Sequence, residues 1–540
     1  MARSKGELMA EDARINGRTI LALTAMGMSV FILANDFSAM NVAMPDIERA
    51  FDSDINSVQW VINAYALVFA MLIVTGGRLA DMFGRRKVFF IGAALFGSFS
   101  FLGGLATDEL MLIGARALMG IGGALLWPAI LGMTYAILPK ERSGLAGALI
   151  IGAAGIGQGA GPIIGGVLTD LLSWRWVLFV NAPICLAAIL ITWRFVHVAT
   201  PAHARERIDY AGIVTLSGGL FALLFALDQS NAWGWTDWRI IGSFVLAVVL
   251  LAAFFVIERR MGASALVPGS VVGNRNFSSA CIAIALVGPA FTASLFYLPQ
   301  FLQKILDFST LKSGVAMLPM MVLFTGLSFA SGTIADKLGV KITIAAGAFF
   351  MALGPALLYF VGADSAYVAL VPGMIALGIG LGLFYSPATT AGVTALPESQ
   401  SSLAGGIIYM CQIGGGAIGL GLTTTVFSSV AKSELKEGAA SSGAPLTEQQ
   451  AQDLQGIFVG TESAQAAIQQ LGADVANRLI TIANDAFAAA FQSSMLLLAA
   501  LAFGAFLVAL FMVGGPLRVP KGLRARLPAR HEHRAHRAHG

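Results

Sequence analysis

Residues 77–87 read GRLADMFGRRK, and residues 332–341 read GTIADKLGVK. Gly77, Ala80, Asp81 and Gly84 recur as Gly332, Ala335, Asp336 and Gly339 at a spacing of 255 residues. A second pair, PKERSGLAG at 139–147 and PESQSSLAG at 397–405, recurs at a spacing of 258. A near-constant offset across a 540-residue chain marks a duplicated unit. Each quoted stretch is a polar interruption between long apolar runs, so the unit that repeats is a set of membrane-spanning helices.

Composition agrees with that reading. The chain is 57% hydrophobic and only 12% charged, against about 25% charged in a typical soluble domain. Its mean hydropathy is +0.77. Fourteen apolar runs are each long enough to span a hydrocarbon core of about 30 Å as a helix, the first at 20–44 and the last at 486–514. The expected fold is an all-α polytopic membrane protein. A cytoplasmic N-terminus at 1–19 precedes a six-helix bundle at 20–196. The repeat offset makes the two helices at 211–257 an insertion, followed by a second six-helix bundle at 277–514. Within that second bundle, about 430–485 is a further insertion, expected as an external loop with short amphipathic helices near 465–482. The chain closes in a basic tail at 515–540 that carries HEHRAHRAHG, read as a solvated tail near anionic lipid rather than a metal site.

An even number of spans puts both termini on one side, and basic residues say which. Of the 34 Lys and Arg, 25 fall in the termini and the loops after even-numbered spans, 8 in the opposite loops, and Arg116 inside a span. Both termini are therefore expected in the cytoplasm. The three cysteines (Cys185, Cys281, Cys411) all lie in spans, which argues for packing roles over a disulfide framework or a zinc site.

Arg116 and Asp36 are the informative charges. A cation at membrane depth costs at least ~2.5 kcal/mol, so chains keep one there chiefly to handle ions or substrates. The first span runs outward and the fourth inward. Asp36 then lies about eight residues from its external end and Arg116 about six, both roughly 9 to 12 Å below the boundary. Equal depth permits pairing, either as a proton-exchanging couple or as a static ion pair. No G-x-x-x-x-G-K-[ST] element is present, so the energy source is expected to be a gradient and no cofactor is expected. No H-E-x-x-H, G-x-S-x-G or paired histidine cluster lies in the spans, which argues against an enzyme, and a membrane sensor is a remote alternative.

The loop at 77–87 resembles the signature of the major facilitator superfamily, G-x-L-A-D-x-x-G-R-[RK]-[RK], in full. In that family this loop latches the two halves, which assigns Gly77, Asp81, Gly84, Arg85 and Arg86 to conformational control. GQGAGPIIGG in the fifth span, with Gly157, Gly161, Pro162, Gly165 and Gly166, resembles the element of the family's antiporters. Asp36, Asn41 and Pro45 resemble its first-helix element D-x-x-x-x-N-x-A-x-P. SWRWVLFVNAPI at 173–184 is similar to the string that opens the sixth helix, and LIGARALMGIGGA at 112–124 to the R-x-x-x-G-x-G element of the fourth. With fourteen spans, these imply the 14-helix drug:H⁺ antiporter branch. The implied protein is a bacterial inner-membrane exporter of amphipathic drugs or other small organic compounds, coupled to protons through Asp36 and Arg116. A lipid or metabolite exporter of the same fold is the alternative. Expected partners are a small-molecule substrate, protons and the bilayer, with no nucleic acid, and the chain is expected to act as a monomer. Asn41, Tyr409 and Gln412 are the weak candidates for the substrate cavity. Spans 9 to 13 hold no acid away from their edges, so a high charge requirement in the cargo is not expected.

Overall fold

A computed structural model describes residues 17–53, 55–139, 142–196, 208–262, 265–441 and 473–514. Most of the 430–485 insertion and the histidine-rich tail lie outside the described residues. Fourteen helices in the described chain are long and apolar enough to cross a membrane. In chain order they are α1 (Gly17–Phe51), α2 (Ile55–Phe83), α3 (Arg85–Gly104), α4 (Glu109–Ile137) and α5 (Ser143–Leu171). Next come α6 (Arg175–Phe195), α7 (Tyr210–Trp233), α8 (Trp238–Met261), α9 (Arg275–Lys304) and α10 (Leu318–Leu338). The last four are α11 (Val340–Leu358), α12 (Tyr367–Thr394), α13 (Ser401–Ser441) and α14 (Ala473–Phe511). Among the described residues there is no strand.

Helix pairings repeat as the sequence does. In the first half α1 packs on α5, α2 on α4, α3 on α4 and α3 on α6. In the second half α9 packs on α13, α10 on α12, α11 on α12 and α11 on α14. The halves meet along two seams, α2 with α13 and α5 with α10, which are the same seam seen twice under the repeat. Backbone geometry repeats as well. Gly84 turns the chain between α2 and α3 at φ 102°, and Gly339 turns it between α10 and α11 at φ 95°, a left-handed conformation that favours glycine.

Lipid tails are as apolar as leucine, so helix association in a bilayer rests on close packing rather than on hydrophobic burial. Glycines supply it here. A Cβ on Gly120 would lie 2.8 Å from the Tyr65 carbonyl of α2, and one on Gly380 would lie 2.6 Å from the Met351 nitrogen of α11. The inserted pair is different in kind. α7 and α8 pack on each other, and α7 also touches α2 and α13 through a small cluster of Leu67, Ala70 and Leu224 backed by Trp60, Ile413 and Ala417. The Asn63 amide of α2 donates to Asp228 of α7 at 2.9 Å.

Three helices extend beyond the apolar runs that define them. α1 continues through Pro45 to Phe51, where Arg49 bonds Asp46 at 2.7 Å. α13 continues to Ser441, and α14 begins at Ala473, with Gly438 set against Ile482. The stretch 473–482, expected as a short amphipathic helix, is instead the first turns of α14. Hydropathy locates the bilayer and not the helix end, because a helix leaving the membrane keeps its own backbone hydrogen bonds in water.

Candidate functional site

Asp36 and Arg116 are both fully buried, at 0% exposure. The Arg116 Nη1 donates to Asp36 Oδ2 at 2.5 Å, and its Nε donates to the Val61 carbonyl of α2 at 2.9 Å. The other carboxylate oxygen accepts from Asn181 Nδ2 at 2.8 Å. Asn181, at the head of the longer segment of α6, also reaches Ser100 Oγ at 3.0 Å, and Ser100 in turn donates to the Leu178 carbonyl at 2.7 Å. The guanidinium lies over the Tyr65 ring at 4.5 Å. Five helices of the first half therefore converge on one carboxylate.

The glycine motif of α5 positions this carboxylate. Gly157, Gly161 and Gly165 lie one turn apart and face the backbone of α1 at Phe31, Ser38 and Ala39; a Cβ on Gly165 would come within 2.6 Å of the Ala39 carbonyl. Side chains there would push α1 away and withdraw Asp36 from Arg116. Gly166 looks past this seam, with Val42 its nearest neighbour at 3.8 Å, and α5 runs unbroken through Pro162. On α4, Gly120 plays the equivalent part by letting α2 approach, so that Arg116 can span to Val61.

Electrostatically the pair is exposed to disturbance. Removing one partner of a buried ion pair typically costs about 3 to 5 kcal/mol, because the other is left charged and unsolvated. Arg116 Nη2 and Asn181 Oδ1 already lack a hydrogen-bond partner among the described residues.

From Arg116 a row of rings leads to the meeting of the two halves. Tyr65 packs on Phe69 at 5.8 Å between centroids, Phe69 meets Tyr409 of α13 edge-on at 5.7 Å, and Tyr409 lies 4.1 Å from Trp127 of α4. Nearer the basic loops the halves are clasped by the repeated motif. Asp81 accepts from the Ser402 and Leu403 amides at the start of α13, at 3.2 and 2.8 Å, and from Arg85 Nε at 3.1 Å. Arg85 also donates to the carbonyls of Gly132 and Glu398, while Arg86 caps the Trp193 carbonyl of α6. Gly77 lets α2 close on Ser402, its Cβ position being 3.0 Å from Leu403 Cα.

The structure thus brings together Asp36 and Arg116, and places Gly77, Asp81 and Arg85 at the junction of the halves, whereas Gly84 turns the chain between α2 and α3 and Arg86 bonds α6 within the first half. Asn41 is exposed on α1 and donates to its own helix at Phe37, 2.9 Å away. Tyr409 and Gln412 are half-buried on α13. Asn181, Ser100 and Tyr65 complete the site and went unmarked by charge. Asn181 does stand inside the quoted SWRWVLFVNAPI string, which is the one signal that could have singled it out.

Among the described residues the second half has no such site. Gly120 and Gly378 occupy matching places on α4 and α12, as do Gly157 and Gly415 on α5 and α13. Counting from these, Met374, Met320 and Ala290 stand where the first half has Arg116, Tyr65 and Asp36, and all three are buried.

Two pseudo-symmetric six-helix halves, clasped at one end and enclosing the Asp36–Arg116 ion pair, define a membrane transporter rather than an enzyme. The chain belongs to the Major Facilitator Superfamily, whose profile matches residues 26–420. It is 35% identical to a puromycin resistance protein of Streptomyces alboniger over 76% of this chain and 82% of that one. It is 33% identical to a cephamycin export protein of Amycolatopsis lactamdurans, over 76% and 84% respectively. A solved structure of the transporter FucP of E. coli, in an outward conformation, superposes with a TM-score of 0.56 at 13% identity, covering 92% of this chain and 100% of that one. The human organic anion transporter MFSD10 gives a TM-score of 0.58 at 12% identity, covering 91% and 99%.

Proposed function

We propose that this transporter is a proton-coupled antiporter that exports small amphipathic organic compounds, drugs among them, across a bacterial cytoplasmic membrane with both termini inside. The observation that carries the reading is the sealed Asp36–Arg116 pair, held by Asn181 and joined by Tyr65 to the contact between halves. Asp36 is the proton carrier, and Arg116 is its ion-pair partner. Protonation frees the guanidinium, Tyr65 follows, and the packing of Phe69 on Tyr409 changes with it. Resistance and export are also what the names of the similar proteins describe. Taking the basic loops as cytoplasmic, the clasp of Asp81 on α13 closes the inner gate in this conformation. Purified protein in liposomes tests the reading: adding substrate against an imposed pH gradient should move protons in the opposite direction, and substrate flux indifferent to the gradient would remove antiport. A lipid or metabolite exporter is the second reading, favoured by the apolar residues that replace the ion pair in the second half. Lipid analysis of a deletion strain separates the two.

Cargo charge follows from the same asymmetry. Among the described residues the buried acids are Asp36, Asp81 and Asp209, and of these only Asp36 lies away from the basic-loop end. A dication would find one carboxylate and leave a charge unpaired at a cost of several kcal/mol, which is more than about tenfold in affinity. Cells expressing the protein should therefore resist neutral and monocationic lipophilic compounds at least roughly tenfold better than dications of similar size. Equal protection in a matched inhibition panel would show a second acidic contact.

A further inference from the structure

Buried polar atoms without partners are few in folded proteins, and each costs about 1 to 3 kcal/mol unless something satisfies it. Two of them are Trp127 Nε1 on α4, whose ring meets Tyr409 of the other half, and the Tyr385 hydroxyl on α12. Trp127 is 3% exposed and Tyr385 2%. Trp127 lies ten residues from the basic-loop end of α4, Tyr385 nine from that of α12 and Tyr409 eight from that of α13. At 1.5 Å per residue all three sit at one level, about 12 to 15 Å from that end. Phe291 of α9 packs edge-on against Tyr385 at 5.9 Å. Rings from both halves therefore meet at one level, just beyond the clasp, and two hydrogen-bond donors among them are unused.

A static core would fill such donors or replace them with apolar groups. A seam that opens and closes leaves them for what enters. The Trp127 and Tyr409 rings come from opposite halves and lie 4.1 Å apart at 36°, so separating the halves parts the rings and exposes the flat face of each. Stacking on such faces favours planar aromatic molecules, and the Trp127 N–H and Tyr385 O–H favour oxygen acceptors on the rim of that molecule.

We propose that Trp127, Tyr385 and Tyr409 form a substrate floor that takes a flat aromatic compound bearing hydrogen-bond acceptors on its edge, its ring between Trp127 and Tyr409 and its acceptors on Trp127 Nε1 and Tyr385 Oη. The proposal rests on the export reading for its substrate. It also supplies the link that reading needs, since Tyr409 touches Phe69, which touches Tyr65 over Arg116.

The test is equilibrium binding to purified protein with no gradient present. Doxorubicin is the probe, being flat, rich in acceptors and singly charged at neutral pH. Tetraphenylphosphonium is the control, with the same charge, splayed rings and no acceptor. Trp127→Phe and Tyr385→Phe, which keep an aromatic ring and lose one donor each, should weaken doxorubicin about five- to tenfold and leave tetraphenylphosphonium within about twofold. Trp127→Leu and Tyr409→Leu should weaken doxorubicin about tenfold or more. Unchanged doxorubicin binding in the phenylalanine variants, equal loss of both probes, or no saturable doxorubicin binding to the wild type would each overturn the proposal. If any leucine variant fails to fold, the phenylalanine variants decide. Binding with these sensitivities in a protein that moves no protons would sink the antiport reading and leave the floor standing.

Discussion

Asp36→Asn is expected to reduce gradient-driven transport to the level of protein-free liposomes. The amide keeps the shape of the carboxylate and cannot titrate. It also offers one oxygen where the carboxylate offers two, so it can accept from Arg116 or from Asn181 but not from both, and its own N–H₂ faces whichever donor remains. Substrate binding without a gradient should persist, which separates lost coupling from lost folding. Thermal stability should fall, by up to about 3 to 5 kcal/mol if Arg116 stays charged and unpaired. Arg116→Lys should impair coupling too, because an ammonium cannot reach Asp36 and the Val61 carbonyl together as the guanidinium fork does. Purified Asp36→Asn protein that still responds fully to an imposed pH gradient would take Asp36 out of the mechanism.

The second large effect is expected at Asp81. Its carboxylate accepts two backbone amides at the start of α13, where helix N–H groups and the helix dipole favour an anion, and it accepts Arg85 as well. Asp81→Asn removes the charge and one acceptor, weakening the closed clasp by about 1 to 3 kcal/mol and shifting the balance of conformations roughly five- to 150-fold. Transport of chemically unrelated compounds should then slow by a common factor. Spin-label distances between the basic-loop ends of α2 and α13 should lengthen in the same variant. Loss of one compound with the others spared would place Asp81 in contact with cargo and contradict a clasp.

What could be read from the chain follows from what a bilayer penalises. Asp36 and Arg116 stood out because charge at that depth is costly, and they pair as equal depth allowed. The end of α1 was not legible in the same way, because the helix carries Asp46, Glu48 and Arg49 beyond the apolar run. Gly84 and Gly339 repeat in sequence because both turn at positive φ. Asn181 and Ser100 were invisible as partners: uncharged polar residues are cheap enough in a span to occur for many reasons, and only the meeting of α1, α3 and α6 shows which ones face Asp36. The same holds for Trp127 and Tyr385 in a chain with 8 Trp and 8 Tyr, since an aromatic serves lipid, neighbour or ligand equally well until its surroundings are known.

The inserted helices also give the molecule a front and a back. α7 lies along the α2–α13 contact, tied to one side by Asn63 and to the other near Ala417 and Gly421, and so roofs that flank against the lipid. Among the described residues neither inserted helix makes an extensive contact with α5 or α10, whose own contact is lined by Gly152 and Gly155 against Phe329 and Phe324. Two flanks that are twins by descent are thus unequal towards the membrane: one is shuttered, the other bare. A compound dissolved in the bilayer would meet a covering helix on one flank and, on the other, a row of glycines against phenylalanine rings.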